Sequence, residues 1–115
     1  MGRRIEPYNK KLLRSNKLSL EKICVTRHKA LYDYLISHGF VPEGTLCLSR
    51  ADVADVKGKH VYGKLPYHLS SACALYTELD MRIPFDMRGK ELTIEQVGFF
   101  LIKPRTYRVR EVTRR

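Results

Sequence analysis

The chain carries short apolar runs separated by polar residues and chain breakers, with no long periodic stretch. Leu20-Glu-Lys-Ile-Cys-Val-Thr26 closes on three consecutive apolar residues, the pattern of a short buried strand. Ala30, Leu31, Tyr34 and Leu35 then recur at helical spacing, so a helix is predicted with Thr26 as its N-cap and Gly39 as its stop. Pro42 to Gly44 reads as a turn and Thr45–Ser49 as a second strand. Ser49-x-x-Asp52 opens a helical turn that runs through Val56 and breaks at Gly58. Lys59–Tyr62 predicts a third strand. Pro66 is suited to lead a second helix, 66–76, followed by a fourth strand, Glu78–Ile83, closed by Pro84. Thr93-x-x-Gln96 is a capping box for a third helix over 93–101. Pro104 ends it, and Thr106–Val112 alternates as a last, half-exposed strand.

Regular alternation of strands and helices implies an α/β domain: a mostly parallel five-stranded sheet flanked by helices. The length, 115 residues, suits one core. The boundaries read as a basic N-terminal arm, 1–17, and a single domain over 18–115. No apolar run reaches the roughly 18–20 residues that a membrane span needs, and the start has no apolar signal core. A cytoplasmic protein with no membrane partner is expected. Cys24, Cys47 and Cys73 are odd in number and each lies in an apolar segment, which reads as buried, reduced thiols. With no Cys-x-x-Cys or His-x-x-x-His spacing, neither a metal site nor a cofactor is expected.

The net charge of +10 is unevenly placed. Residues 1–17 contribute +5 and residues 103–115 another +5, so the stretch between them is neutral. Basic ends attract polyanions without reading sequence, which leaves open a non-specific nucleic-acid contact through the tails. Specific chemistry must come from the neutral middle.

In an open parallel sheet, ligands bind beyond the carboxyl ends of the strands. Four connections would meet there: Thr26-Arg27-His28, Ser49-Arg50, Gly63-Lys64-Leu65-Pro66-Tyr67-His68, and Ile83 to Glu91 with Arg88, Gly89 and Lys90. Arginines and histidines beside helix starts suit phosphate, because guanidinium forks bind it bidentately. The string Ile23 to His28 resembles the strand-end Arg-His of histidine phosphatases. That family has Gly after the histidine and a second catalytic histidine late in a larger chain; here Lys29 follows, and His68 is the last histidine.

A wider resemblance rests on three motifs in order: Val25-Thr-Arg-His28, Asp55 to Leu69, and Ile83 to Leu92. Over about residues 22–112 the chain is similar to small stand-alone CRISPR-associated accessory proteins of type III systems, related to CARF domains and regarded as ring nucleases. The arm 1–17 departs from that pattern. The resemblance implies a minimal Rossmann-like fold, a homodimer, and binding and cutting of a cyclic oligoadenylate, most often the tetramer. Carried onto this chain, the site would comprise Thr26, Arg27, His28, Gly63, Leu65, Pro66, His68, Arg88, Gly89, Lys90 and Glu91.

A metal-independent route would line a 2′-hydroxyl against the neighbouring phosphorus. Arg27 and Arg88 would stabilise the developing charge, and His28 or His68 would move protons. Ser49, Arg50 and Lys64 join the expected ligand contacts. Two other classes stay open at this point: a cyclic-nucleotide sensor or sponge that does not cut, and a small nucleic-acid-binding protein acting through its tails.

Overall fold

The structure is a computed structural model and describes residues 20–112. The arm 1–17 lies outside the described residues. Ten elements follow in chain order: β1 (Lys22–Val25), α1 (Lys29–Ser37), β2 (Leu46–Leu48), α2 (Val53–Val56), β3 (His60–Gly63), α3 (Tyr67–Ser70), β4 (Leu75–Glu78), a 3-10 turn (Phe85–Met87), α4 (Ile94–Phe100) and β5 (Arg105–Tyr107). The five strands form one sheet in the order β2-β1-β3-β4-β5. β1 to β4 are parallel, and β5 runs antiparallel to β4. The expected mostly parallel five-stranded α/β sheet is therefore present.

Two cores explain the layering. On one face Cys24, Tyr62 and Leu79 pack with Leu31 and Leu35 of α1 and Val97 of α4. On the other, Ile23, Val25 and Val61 pack with Val56 of α2, and Leu65, Ala72 and Cys73 close around them. The alternation inside β1 and β3 sends successive side chains to opposite helices, and this burial supplies most of the hydrophobic stabilisation.

Several boundaries differ from the sequence reading, each for a local reason. His28 rather than Thr26 is the N-cap of α1; the Thr26 hydroxyl instead accepts the His28 N–H at 3.1 Å. Asp52, not Ser49, caps α2 in a reciprocal box with Asp55. The predicted helix 66–76 contracts to the four residues of α3. Ser70 and Ser71 turn their hydroxyls onto the carbonyls of Tyr67 and His68 at 3.3 Å each, a weak setting for a helix. The chain then leaves to pair with β3, where the Ala74 N–H meets the Lys59 carbonyl at 2.9 Å. The fourth strand accordingly begins at Leu75 instead of Glu78, leaving an isolated bridge between Met81 and Leu101. The last strand covers only Arg105–Tyr107, not 106–112. All three cysteines are free thiols, but Cys47 is exposed and Cys73 only half-buried. Cys47 stands on β2, the edge strand, where the helices cover neither face fully.

A polar chain ties β5 to the sheet. His60 Nε2 lies 2.7 Å from the Thr77 hydroxyl, which lies 2.7 Å from that of Thr106. The imidazole stacks on Tyr62, with ring centroids 4.5 Å apart. Burial, and secondarily the nearby Lys22 ammonium, push the His60 pKa below its ordinary value.

Two predictions follow from these contacts. A Cβ on Gly63 would collide with the Val25 carbonyl oxygen of the neighbouring strand. Gly63→Ala should therefore lower unfolding stability by roughly 1–3 kcal/mol in urea titrations, the usual cost of overpacking. Because the folded His60 pKa is depressed, its contribution is complete above about pH 6.5 and declines as pH falls through the folded value. The wild-type denaturation midpoint should drop more between pH 7.5 and 5 than that of His60→Gln, with parallel curves as the opposing result.

Candidate functional site

From β1 the chain crosses to β2 on one side, and from β2 it crosses back past β1 to β3 on the other. The connections leaving the carboxyl ends of β1 and β3 diverge, which opens a crevice between them. A cleft of about 360 Å³ lies at this point. Thr26, Arg27 and His28 line it from the loop after β1, Ser49 from that after β2, Gly63 and Lys64 from the end of β3, and Leu79, Asp80, Met81 and Ile83 from beyond β4. Gly63 is needed because the β1 and β3 backbones meet too closely for a side chain.

Electrostatics at the β1 end favour an anion. No side chain caps α1, and its first turn has no acidic residue. Arg27 is exposed and makes no ion pair or side-chain hydrogen bond among the described residues. A helix start beside a guanidinium with no partner among the described residues offers several N–H donors and positive potential to one oxyanion. The Thr26–His28 hydrogen bond holds the turn that presents them.

Arg27 and His28 also wall a neighbouring hollow of about 270 Å³, completed by Lys29, Ala30 and Gly89 to Leu92. This brings Gly89, Lys90 and Glu91 of the third motif to the far side of the same Arg-His pair. Gly89 has a φ of +81°, where a side chain would be strained. The remaining expected site residues fall elsewhere. His68 lines a separate groove of about 460 Å³ with Tyr67, Ser71 and Val109 to Glu111. Arg88 is exposed, and its Nε donates to the Ile83 carbonyl at 3.4 Å, so it lines neither hollow. Arg50 is exposed outside both. Leu65 packs into the second core while its N–H donates to the Tyr76 hydroxyl at 2.9 Å, and Pro66 serves as the N-cap of α3. Two of the four expected catalytic positions, Arg27 and His28, thus share a cleft, and His68 and Arg88 do not join them.

A family model for CRISPR-associated proteins, Cas_VVA1548, matches residues 23–110. The chain belongs to this CRISPR-associated family. The Cas_VVA1548 match runs from β1 past β5 and so includes every element that shapes the cleft. No curated protein and no solved structure matched the chain.

Within this Cas_VVA1548 domain, Asp80 is the charged lining residue that the sequence reading missed. Its Oδ1 lies 3.1 Å from Lys64 Nζ, with Glu78 Oε2 at 4.0 Å. The hydrogen bond to Asp80 is the main cause holding the Lys64 pKa above its ordinary value. Lys64 is thus already compensated, unlike Arg27. The misplaced fourth strand hid Asp80: with β4 ending at Glu78, residue 80 stands just past its carboxyl end. The Cys24 and Cys73 thiols are poorly suited to nucleophilic work. Burial pushes the Cys24 thiol far up, the adjacent Cys47 adds to this, and burial also raises Cys73. Among the described residues, no three His, Cys, Asp or Glu side chains gather as metal ligands, and no helix is long and apolar enough to cross a membrane.

Pyrophosphate titrated into the labelled protein should shift the Lys29 and Ala30 amides in NMR spectra. Arg27→Gln should weaken that binding about tenfold, the scale of one charge-assisted hydrogen bond, and Lys64→Gln distinctly less. Equal losses in the two variants would contradict this division of charge.

Proposed function

We propose that this protein is a ring nuclease that binds a cyclic oligoadenylate, most favourably the tetramer, and opens it by metal-independent attack of a 2′-hydroxyl. The observation that carries the reading is the cleft between β1 and β3, where Arg27 and His28 stand at the uncapped start of α1. Membership of a CRISPR-associated family supplies the setting in which a cyclic nucleotide messenger would be met and cleared. The strand order supports a minimal Rossmann-like, CARF-related domain, with the ligand at the point between β1 and β3 where the strand order reverses.

The tetrameric ring is nearly flat and fourfold symmetric. A homodimer with its twofold axis through the ring centre would offer two such clefts, each taking two phosphates. In each cleft the 2′-oxygen attacks the adjacent phosphorus, and the bond from phosphorus to the 5′-oxygen breaks. The products are a 2′,3′-cyclic phosphate and a 5′-hydroxyl. Arg27 and the α1 amides stabilise the charge that builds on the non-bridging oxygens. His28, which lines the same cleft, passes a proton from the attacking to the leaving oxygen. Thr26 and Gly63 shape the floor, while Gly89 to Glu91 contact the ring from the adjoining hollow. His68 and Arg88, being outside the cleft, take no chemical part within one protomer.

The test is incubation of labelled cyclic tetra-adenylate with purified protein in EDTA, with products resolved by chromatography. Linear fragments ending in 2′,3′-cyclic phosphate are expected. Arg27→Ala should slow them about 10²–10³-fold and His28→Ala about 10²–10⁴-fold, whereas His68→Ala should leave the rate within about threefold. An intact ring at large protein excess rules out cleavage. Tight binding beside that result would instead identify a sponge or sensor.

A further inference from the structure

The cleft contains a carboxylate where a simple polyanion site would not. Asp80 lines it from beyond β4 and meets Lys64 from the end of β3, while Arg27 and His28 line it from the loop after β1. Its backbone is fixed on both sides: the Asp80 carbonyl accepts the Ile102 N–H at 2.8 Å, and the Arg82 N–H donates to the Phe100 carbonyl at 2.8 Å. The Met81–Leu101 bridge lies between them. Asp80 is therefore held by the chain that follows α4, not by a mobile loop of its own.

The side chain is engaged through Oδ1 by Lys64 at 3.1 Å, yet it remains 45% exposed and open to a ligand. Two consequences follow. The carboxylate cancels Lys64, so that wall adds little attraction for phosphate. It also leaves an anionic acceptor facing a cleft whose other polar groups are chiefly donors. Such an acceptor keeps phosphate off that wall and rewards a neutral hydroxyl or amino donor there, because a ligand without one would leave the carboxylate unpaired.

On the functional reading above, we infer that Asp80 is a specificity-determining residue: it accepts a hydrogen bond from the 2′-hydroxyl of the ribose adjoining the attacking one. The cleft then selects ribonucleotide over deoxyribonucleotide, and phosphodiester over dense polyphosphate. Lys64 positions the carboxylate and is not itself the phosphate contact.

The probes are a cyclic tetra-adenylate with phosphorothioate linkages, which slow scission, and its 2′-deoxy counterpart, each titrated calorimetrically. Wild type should prefer the ribose ring by at least about tenfold. Asp80→Ala should bind the two rings within about twofold and hold the deoxy ring as tightly as wild type or more so, because Lys64 is released. Asp80→Glu should restore part of the preference. Lys64→Met separates the roles: it should keep most of the discrimination, whereas a carboxylate that acted only by holding Lys64 would lose it. Equal wild-type affinity for the two rings overturns this inference and leaves the cyclic-nucleotide reading standing. Failure to bind either ring overturns both.

Discussion

The close approach of β1 to β3 at Val25 and Gly63 is the constraint on which the remaining structure depends. Only backbone fits there, so the central strands stay in register to their carboxyl ends. That register points Cys24 and Tyr62 towards α1 and α4, and Ile23, Val25 and Val61 towards α2 and the turn after α3. The same contact fixes where the chain diverges, and the cleft is the space that divergence leaves. Packing of the core and the shape of the cleft therefore share one cause.

Charge is distributed in a way that composition alone does not convey. A net charge of +10 favours polyanions in general, yet among the described residues the cleft owes its character to one uncompensated guanidinium and one helix without a side-chain cap. Lys64, counted naively, doubles the cationic lining, but Asp80 and Glu78 neutralise it. Exposed pairs of this kind add little stability; their weight lies in setting which donors and acceptors a ligand meets.

Much of the fold was legible because its signals were local. The apolar run Ile23-Cys-Val25 marked β1, Thr93 with Gln96 marked α4 through a capping box that the structure reproduces, and Gly58 marked the break after α2. The segment 66–78 was not legible. Leu69, Ala72 and Ala74 read as helix, whereas Ser70 and Ser71 turn back on the backbone and β3 draws the chain into the sheet three residues early. That single error displaced β4 and concealed Asp80. His68 follows the Gly63 strand end by only five residues, yet it faces the groove with Val109 and Arg110 and not the cleft. Arg27 and His28 were legible because a cation and an imidazole at the start of a helix are conspicuous without any tertiary knowledge.

The reversed direction of β5 has its own outcome. A fifth parallel strand would have delivered the chain beyond Tyr107 to the rim where Arg27 stands. Running the other way, β5 carries Val109 and Arg110 to the flank of α3, beside Tyr67 and His68. Arg110 is thereby kept on the far flank of the sheet from Arg27, and the mouth of the crevice is left clear of it.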